Sequence, residues 1–109
     1  MLEVLLGSAN CERVLIYLCA CNEGYARGIS RFFETPLAPL QKQLEKLEAG
    51  GVLFSRLEGR TRLYAFNPRY PFLKEITAIL DKAINFYPEE TRQKLLINRR
   101  RPRRAGKPL

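Results

Sequence analysis

Histidine and tryptophan are both missing from this chain of 109 residues, and methionine occurs once. Without histidine, the commonest general base and the commonest metal ligand are gone. No serine or cysteine can then be activated by an imidazole. There is no glycine-rich phosphate loop and no pair of carboxylates in a cleft-like context. An enzyme is not expected, nor a cofactor or a metal site. Cysteine is sparse: Cys11, Cys19 and Cys21 are odd in number and lack the spacing of a disulfide scaffold, which points to a reducing cytoplasm. No hydrophobic run approaches the roughly 18 residues of a membrane-spanning helix. The opening MLEVLLGSANC has an apolar patch but no basic segment, and it carries Glu3, so no secretory signal is expected.

Acid is also scarce, with 11 Asp and Glu against 19 Lys and Arg and a formal net charge of +8. Six of the basic residues (Arg99, Arg100, Arg101, Arg103, Arg104 and Lys107) stand in the last stretch, which has no acid, leaving residues 1–98 nearly balanced. The tail favours polyanions without choosing among them. Hydrophobic residues make up 46% of the chain, enough for one compact domain over residues 1–98, followed by a basic tail over 99–109.

The chain reads as a succession of short helices. Ser8 or Asn10 can cap a first helix over 8–22, with Val14, Leu15 and Leu18 at helical spacing, and Asn22-Glu23-Gly24 ends it. A second follows over 25–33, burying Ile29, Phe32 and Phe33. Gly28 inside it costs about 1 kcal/mol relative to alanine, which suggests a packing reason there. After the short link Glu34-Thr35-Pro36, a third helix runs over 37–49 with Leu37, Leu40, Leu44 and Leu47 in one stripe. Pro39 fits only in its first turn, and Gly50-Gly51 closes it. Two runs of β-formers, 52–57 and 60–66, flank Glu58-Gly59 and predict a hairpin. Pro71 opens a fourth helix with Phe72, Leu73, Ile76, Ile79, Leu80, Ala83, Ile84 and Tyr87 on its apolar side. Pro88 breaks it, and Glu89-Glu90 start a fifth helix to about Ile97. The fold class is mainly α with a small β-hairpin: a winged helix-turn-helix with additional C-terminal helices.

The outer face of the third helix carries Ala38, Lys42, Glu45 and Lys46, flanked by Pro39 and Gln41. Small residues at its start permit close approach to base edges, Gln41 can pair with adenine, and Lys42 can reach guanine or a phosphate. Such a face is equally that of an ordinary solvated helix. At the hairpin, Arg60 falls at the tip with Arg56 and Arg62 on its flanks. Those arginines suit the minor groove or its phosphates. They also suit the protection of an exposed strand edge. Residues 25–69 carry eight basic side chains (Arg27, Arg31, Lys42, Lys46, Arg56, Arg60, Arg62, Arg69) and four acidic (Glu34, Glu45, Glu48, Glu58), a mild excess of the sign that DNA requires.

The stretch GYARGISRFFETPLAPLQKQLEKLEAGGVLFSRLEGRTRLYAFNP, above all LQKQLEKLEAGGV with the EGR turn and LYAF, resembles the ArsR/MarR-like winged helix family of bacterial and archaeal transcription regulators. The resemblance spans roughly residues 8–68. It implies a sequence-specific double-stranded DNA-binding regulator, with the recognition helix over 37–49 in the major groove and the wing over 52–66 on the minor groove or backbone. The residues implied in binding are Ala38, Pro39, Gln41, Lys42, Lys46, Arg56, Arg60 and Arg62. The alternative is a winged-helix module that binds and controls a partner protein. In this family an added C-terminal helix often pairs with the first helix across a two-fold axis, which implies a homodimer and an inverted-repeat site. Two features depart from the family. The turn Glu34-Thr35-Pro36 lacks the glycine often found there. The Cys-x-Cys of metal-sensing members would fall near Tyr25 and Arg27, neither of which is cysteine. Cys19 and Cys21 lie several residues earlier, at positions that point to different helix faces, and are expected to pack as small apolar side chains.

Overall fold

The computed structural model describes the backbone of residues 1–100 and the side chains of residues 1–98. The basic tail expected over 99–109 lies outside the described side chains. The elements in chain order are α1 (Glu3–Leu6), α2 (Ala9–Cys21), β1 (Glu23–Tyr25), α3 (Ala26–Phe33), α4 (Leu37–Ala49), β2 (Leu53–Glu58), β3 (Thr61–Phe66), α5 (Leu73–Ile84) and α6 (Glu89–Arg100).

Helix α2 is the hub. The Ser8 hydroxyl accepts from the Cys11 amide at 3.0 Å and fixes its start. Asn22 ends it in a left-handed conformation (φ 75°), a position asparagine tolerates, with its amide donating to the Leu18 carbonyl at 2.9 Å. Between those ends Val14, Leu15, Ile16 and Leu18 are buried, packed among Ile29 of α3, Leu40 and Leu44 of α4, Leu53 and Tyr64 of the sheet, Leu80 and Ala83 of α5, and Leu95 of α6. The leucine stripe of α4 behaves as its spacing predicts, with Leu40 and Leu44 fully buried and Leu37 and Leu47 half-buried.

The sequence-based expectation is corrected at the start and beside α2. The apolar opening forms the short α1, capped by Gly7 at φ 97°. Asn22-Glu23-Gly24 does more than end α2: Glu23, Gly24 and Tyr25 pair antiparallel with Ala65, Tyr64 and Leu63. The sheet has three strands in the order β1-β3-β2. Glycine is required at position 24, where a Cβ would stand 2.7 Å from Cε1 of Tyr17. Gly28, for which a packing reason was expected, has nothing within 4 Å of a Cβ position.

The turn between α3 and α4 manages without glycine. Glu34 takes the left-handed conformation itself (φ 53°, ψ 50°), and the Thr35 amide donates to the Ser30 carbonyl at 3.0 Å. Pro39 sits in the first turn of α4, where its missing N–H has no helical partner to lose. At the other end Gly51 is left-handed (φ 83°), the Val52 amide reaches the Leu47 carbonyl at 3.0 Å, and the Gly51 amide reaches that of Glu48 at 3.0 Å. That pair of bonds is a Schellman closure, and it delivers the chain directly into β2.

Helix α5 begins at Leu73, with Phe72 as its N-cap residue. Of its expected apolar side, Leu80 and Ala83 are buried and Leu73, Ile76, Ile84 and Tyr87 half-buried, but Phe72 and Ile79 face outward. The Glu12 carboxylate, the buried charge of α2, accepts from the Leu2 amide at 2.7 Å and from the Tyr87 hydroxyl. The start of the chain and the α5–α6 corner are thereby fastened to the same helix. Among the described residues, no helix is long and apolar enough to cross a membrane.

Candidate nucleic-acid interface

The surface to be tested is built by α3, α4 and the β2–β3 hairpin. Burying Leu40 and Leu44 turns the opposite face of α4 outward. Ala38, Pro39, Lys42, Glu45 and Lys46 are exposed on it, and Gln41 is half-buried at its margin. Lys42 and Lys46 stand one turn apart and make no ion pair with any described residue. Small side chains at the start and lysines further along give a helix end that can approach a groove closely.

The hairpin turns on Gly59-Arg60, between Glu58 and Thr61. Gly59 is at φ 65° and Arg60 is not left-handed, the φ pattern of a type II′ turn, whose twist suits flanking strands. Arg60 at the tip has no ion-pair or hydrogen-bond partner among the described residues.

Cross-strand register separates the other two arginines. Arg56 faces Leu63, while Arg62 faces Leu57, so they emerge from opposite sides of the ribbon. Arg56 is held by two carboxylates, with Nε 2.9 Å from Glu58 and a terminal nitrogen 3.7 Å from Glu23. Arg62 lies on the α4 side and donates to the Ser55 hydroxyl at 3.0 Å, and that hydroxyl donates to the Glu48 carboxylate at 2.7 Å. The Arg62–Ser55–Glu48 chain links the wing to the end of α4. On the same face burial raises the Tyr64 hydroxyl above its ordinary pKa, and the Glu48 and Glu45 carboxylates raise it further.

Two cations escaped the sequence reading. Arg27 and Arg31 are exposed on α3, four residues apart. With Ser30, Glu34, Thr35 and Leu37 they line an open depression of about 380 Å³ beside the start of α4. The signal was their i, i+4 spacing on α3, which places both on one face of that helix.

The cysteines are dispersed. Cys11 and Cys21 are buried, and burial pushes the Cys11 thiol above its ordinary pKa. Cys19 turns to α5, 3.3 Å from Oδ1 of Asp81, whereas Cys21 lies 3.8 Å from the Leu95 carbonyl of α6. Among the described residues, no group of three or more histidine, cysteine, aspartate or glutamate side chains is arranged to hold a metal ion.

Helices α3 and α4 joined by a tight turn, followed by a hairpin that closes a small sheet over α2, have counterparts among solved structures. An apo-form mutant of ZitR from Lactococcus lactis superposes with a TM-score of 0.54 at 17% identity, over 80% of this chain and 74% of that one. A second structure of the ZitR mutant gives 0.51 at 17% identity, over 78% and 66%. The fold is a winged helix-turn-helix. No protein-family model matches the chain, and no curated protein matches it. In winged-helix terms α3 and α4 are the two helices of the motif, β2–β3 is the wing, and α5 and α6 are additions beyond the winged unit.

Proposed function

We propose that this chain is a sequence-specific double-stranded DNA-binding transcription regulator of the ArsR/MarR-like kind, cytoplasmic and without catalytic activity, acting as a homodimer. The observation that carries this reading is the coincidence, at both ends of one surface, of cations with no ion pair among the described residues: Lys42 and Lys46 on the outer face of α4, and Arg60 at the wing tip. In this reading α4 enters the major groove, with Ala38 and Pro39 allowing approach, Gln41 and Lys42 at base edges, and Lys46 on a phosphate. Arg60 reaches the adjacent minor groove, Arg62 grips its backbone from the α4 side, and Arg27 and Arg31 add phosphate contacts along α3. Arg56 acts within the wing, since Glu23 and Glu58 already engage it.

The dimer rests on apolar side chains the fold leaves exposed. Phe72 at the N-cap of α5 and Ile79 on it, and Val4 and Leu5 on α1, all face solvent. Pairing those helices about a two-fold axis would cover them and set two recognition helices about one duplex turn apart. The deciding experiment is selection of duplexes from a randomised pool by the purified full chain at near-physiological salt. An enriched inverted repeat supports the regulator. Binding without enrichment favours the alternative, a winged-helix module that controls a partner protein.

A further inference from the structure

The two sides of the wing differ in chemistry. On the side away from α4, Arg56 is engaged by Glu58 and Glu23, so its charge there is more than offset. On the α4 side the cross-strand pairs are Leu53 with Phe66, Ser55 with Tyr64, and Leu57 with Arg62, with no acid among them. Leu53 and Tyr64 belong to the core and Ser55 is tied to Glu48. Leu57, the last of that row before the tip, is left 62% exposed. Leu57 stands outside the buried core and its packed margin, and its neighbours Arg60 and Arg62 are complementary to a polyanion. The Arg62–Ser55–Glu48 chain fixes that side of the ribbon relative to the recognition helix.

We propose that Leu57 is a specificity-determining residue of the wing, packing against the sugar walls of a DNA minor groove while Arg60 and Arg62 hold the flanking charge. The inference rests on the DNA-binding reading and adds to it a preference for A·T pairs under the wing. A guanine amino group in the minor groove would lose its hydration against a leucine and gain no acceptor, whereas an A·T floor presents no such donor. Apolar side chains in minor grooves work through shape and unstacking and displace water without displacing counterions.

That last point separates Leu57 from its arginine neighbours. The full chain selects duplexes from a randomised pool, and the enriched duplex is titrated at several salt concentrations with wild type, Leu57→Ser, Leu57→Met and Arg60→Ala. Leu57→Ser lowers affinity by about three- to tenfold, leaves the salt slope unchanged, and relaxes A·T preference beneath the wing. Leu57→Met keeps wild-type affinity, and Arg60→Ala reduces the slope by about one unit. Leu57 is exposed, so the serine variant folds, as a denaturant melt will verify. The inference is overturned if Leu57→Ser binds like wild type, if it lowers the slope as Arg60→Ala does, or if sedimentation shows that it alters self-association. Failure of the wild type to enrich any duplex would remove the DNA reading and this inference together. Enrichment with an inert Leu57 would remove the inference alone.

Discussion

Gly24 and Gly28 stand four residues apart, and alanine should act on them with opposite signs. At Gly24 a Cβ would lie 2.7 Å from Cε1 and 3.1 Å from Cδ1 of Tyr17, and 3.4 Å from Cγ1 of Ile29. Tyr17 cannot swing aside cheaply, because its ring packs edge-on against Phe32 at 5.5 Å between centroids. Ile29 is fully buried and has nowhere to go. Overpacking of this kind costs about 1–3 kcal/mol, and the backbone concerned carries the β1–β3 pairing. Gly28 lies inside α3 with open space where its Cβ would be. Replacing this first-turn glycine with alanine removes backbone entropy from the unfolded chain and contributes about 0.4–1 kcal/mol. Urea unfolding of wild type and both variants measures the two effects directly, and thermal melts should separate them, since 1 kcal/mol moves the midpoint of a domain this size by about 4–8 °C. If Gly24→Ala proves neutral, Tyr17 is not confined as described. If Gly28→Ala destabilises, something packs on α3 that the fold does not show.

Other consequences can be checked separately. Tyr87→Phe removes a hydroxyl that donates to the buried Glu12 carboxylate and should cost about 1–3 kcal/mol in urea. Burial first, and then the bond to Glu12, raise the Tyr87 pKa in the folded state above that of an ordinary tyrosine, so the stability it contributes is full below the ordinary tyrosine range and declines as pH rises beyond it. The difference between wild type and Tyr87→Phe should therefore shrink in alkaline melts, and a constant difference would contradict the bond. Glu34→Gly relieves a left-handed glutamate at the α3–α4 turn and should stabilise by about 0.5–1 kcal/mol, the strain relieved exceeding the entropy gained by the unfolded chain. Lys42→Ala and Arg60→Ala should each weaken duplex binding and reduce its salt slope by about one unit without altering the melting curve.

Much of the fold was legible because its signals were local. The leucine stripe, with Pro39 confined to its first turn and two glycines after it, delimits α4, and the hairpin follows from β-formers around Glu58-Gly59. What was not legible depends on partners distant in sequence. The three residues of β1 have no periodicity to display, and Gly24 reads as a helix terminator until Tyr64 and Tyr17 are placed beside it. For the same reason Gly28 drew attention that belonged to Gly24. The outer face of α4 could be derived from helical geometry alone, but the division of the wing could not. Arg56 and Arg62 were both read as flanks of the tip, and only the register with β3 and the nearness of Glu23 show that one is held by carboxylates while the other lies on the α4 side, bonded to the Ser55 hydroxyl. Arg27 and Arg31 were counted as charge and not located, because their value depends on where the start of α4 lies.

Strand β3 occupies the centre of the sheet, yet it is the last strand to be synthesised. A chain emerging from the ribosome makes β1 first, then α3, α4 and β2, and neither outer strand has its ladder partner until β3 appears. The helical pair can settle on α2 early through Ile29, Leu40 and Leu44, whereas the wing acquires its shape only when residues 61–66 arrive and close both ladders together. A truncation ending before Thr61 would keep α4 and lose the strand that closes the sheet beside it.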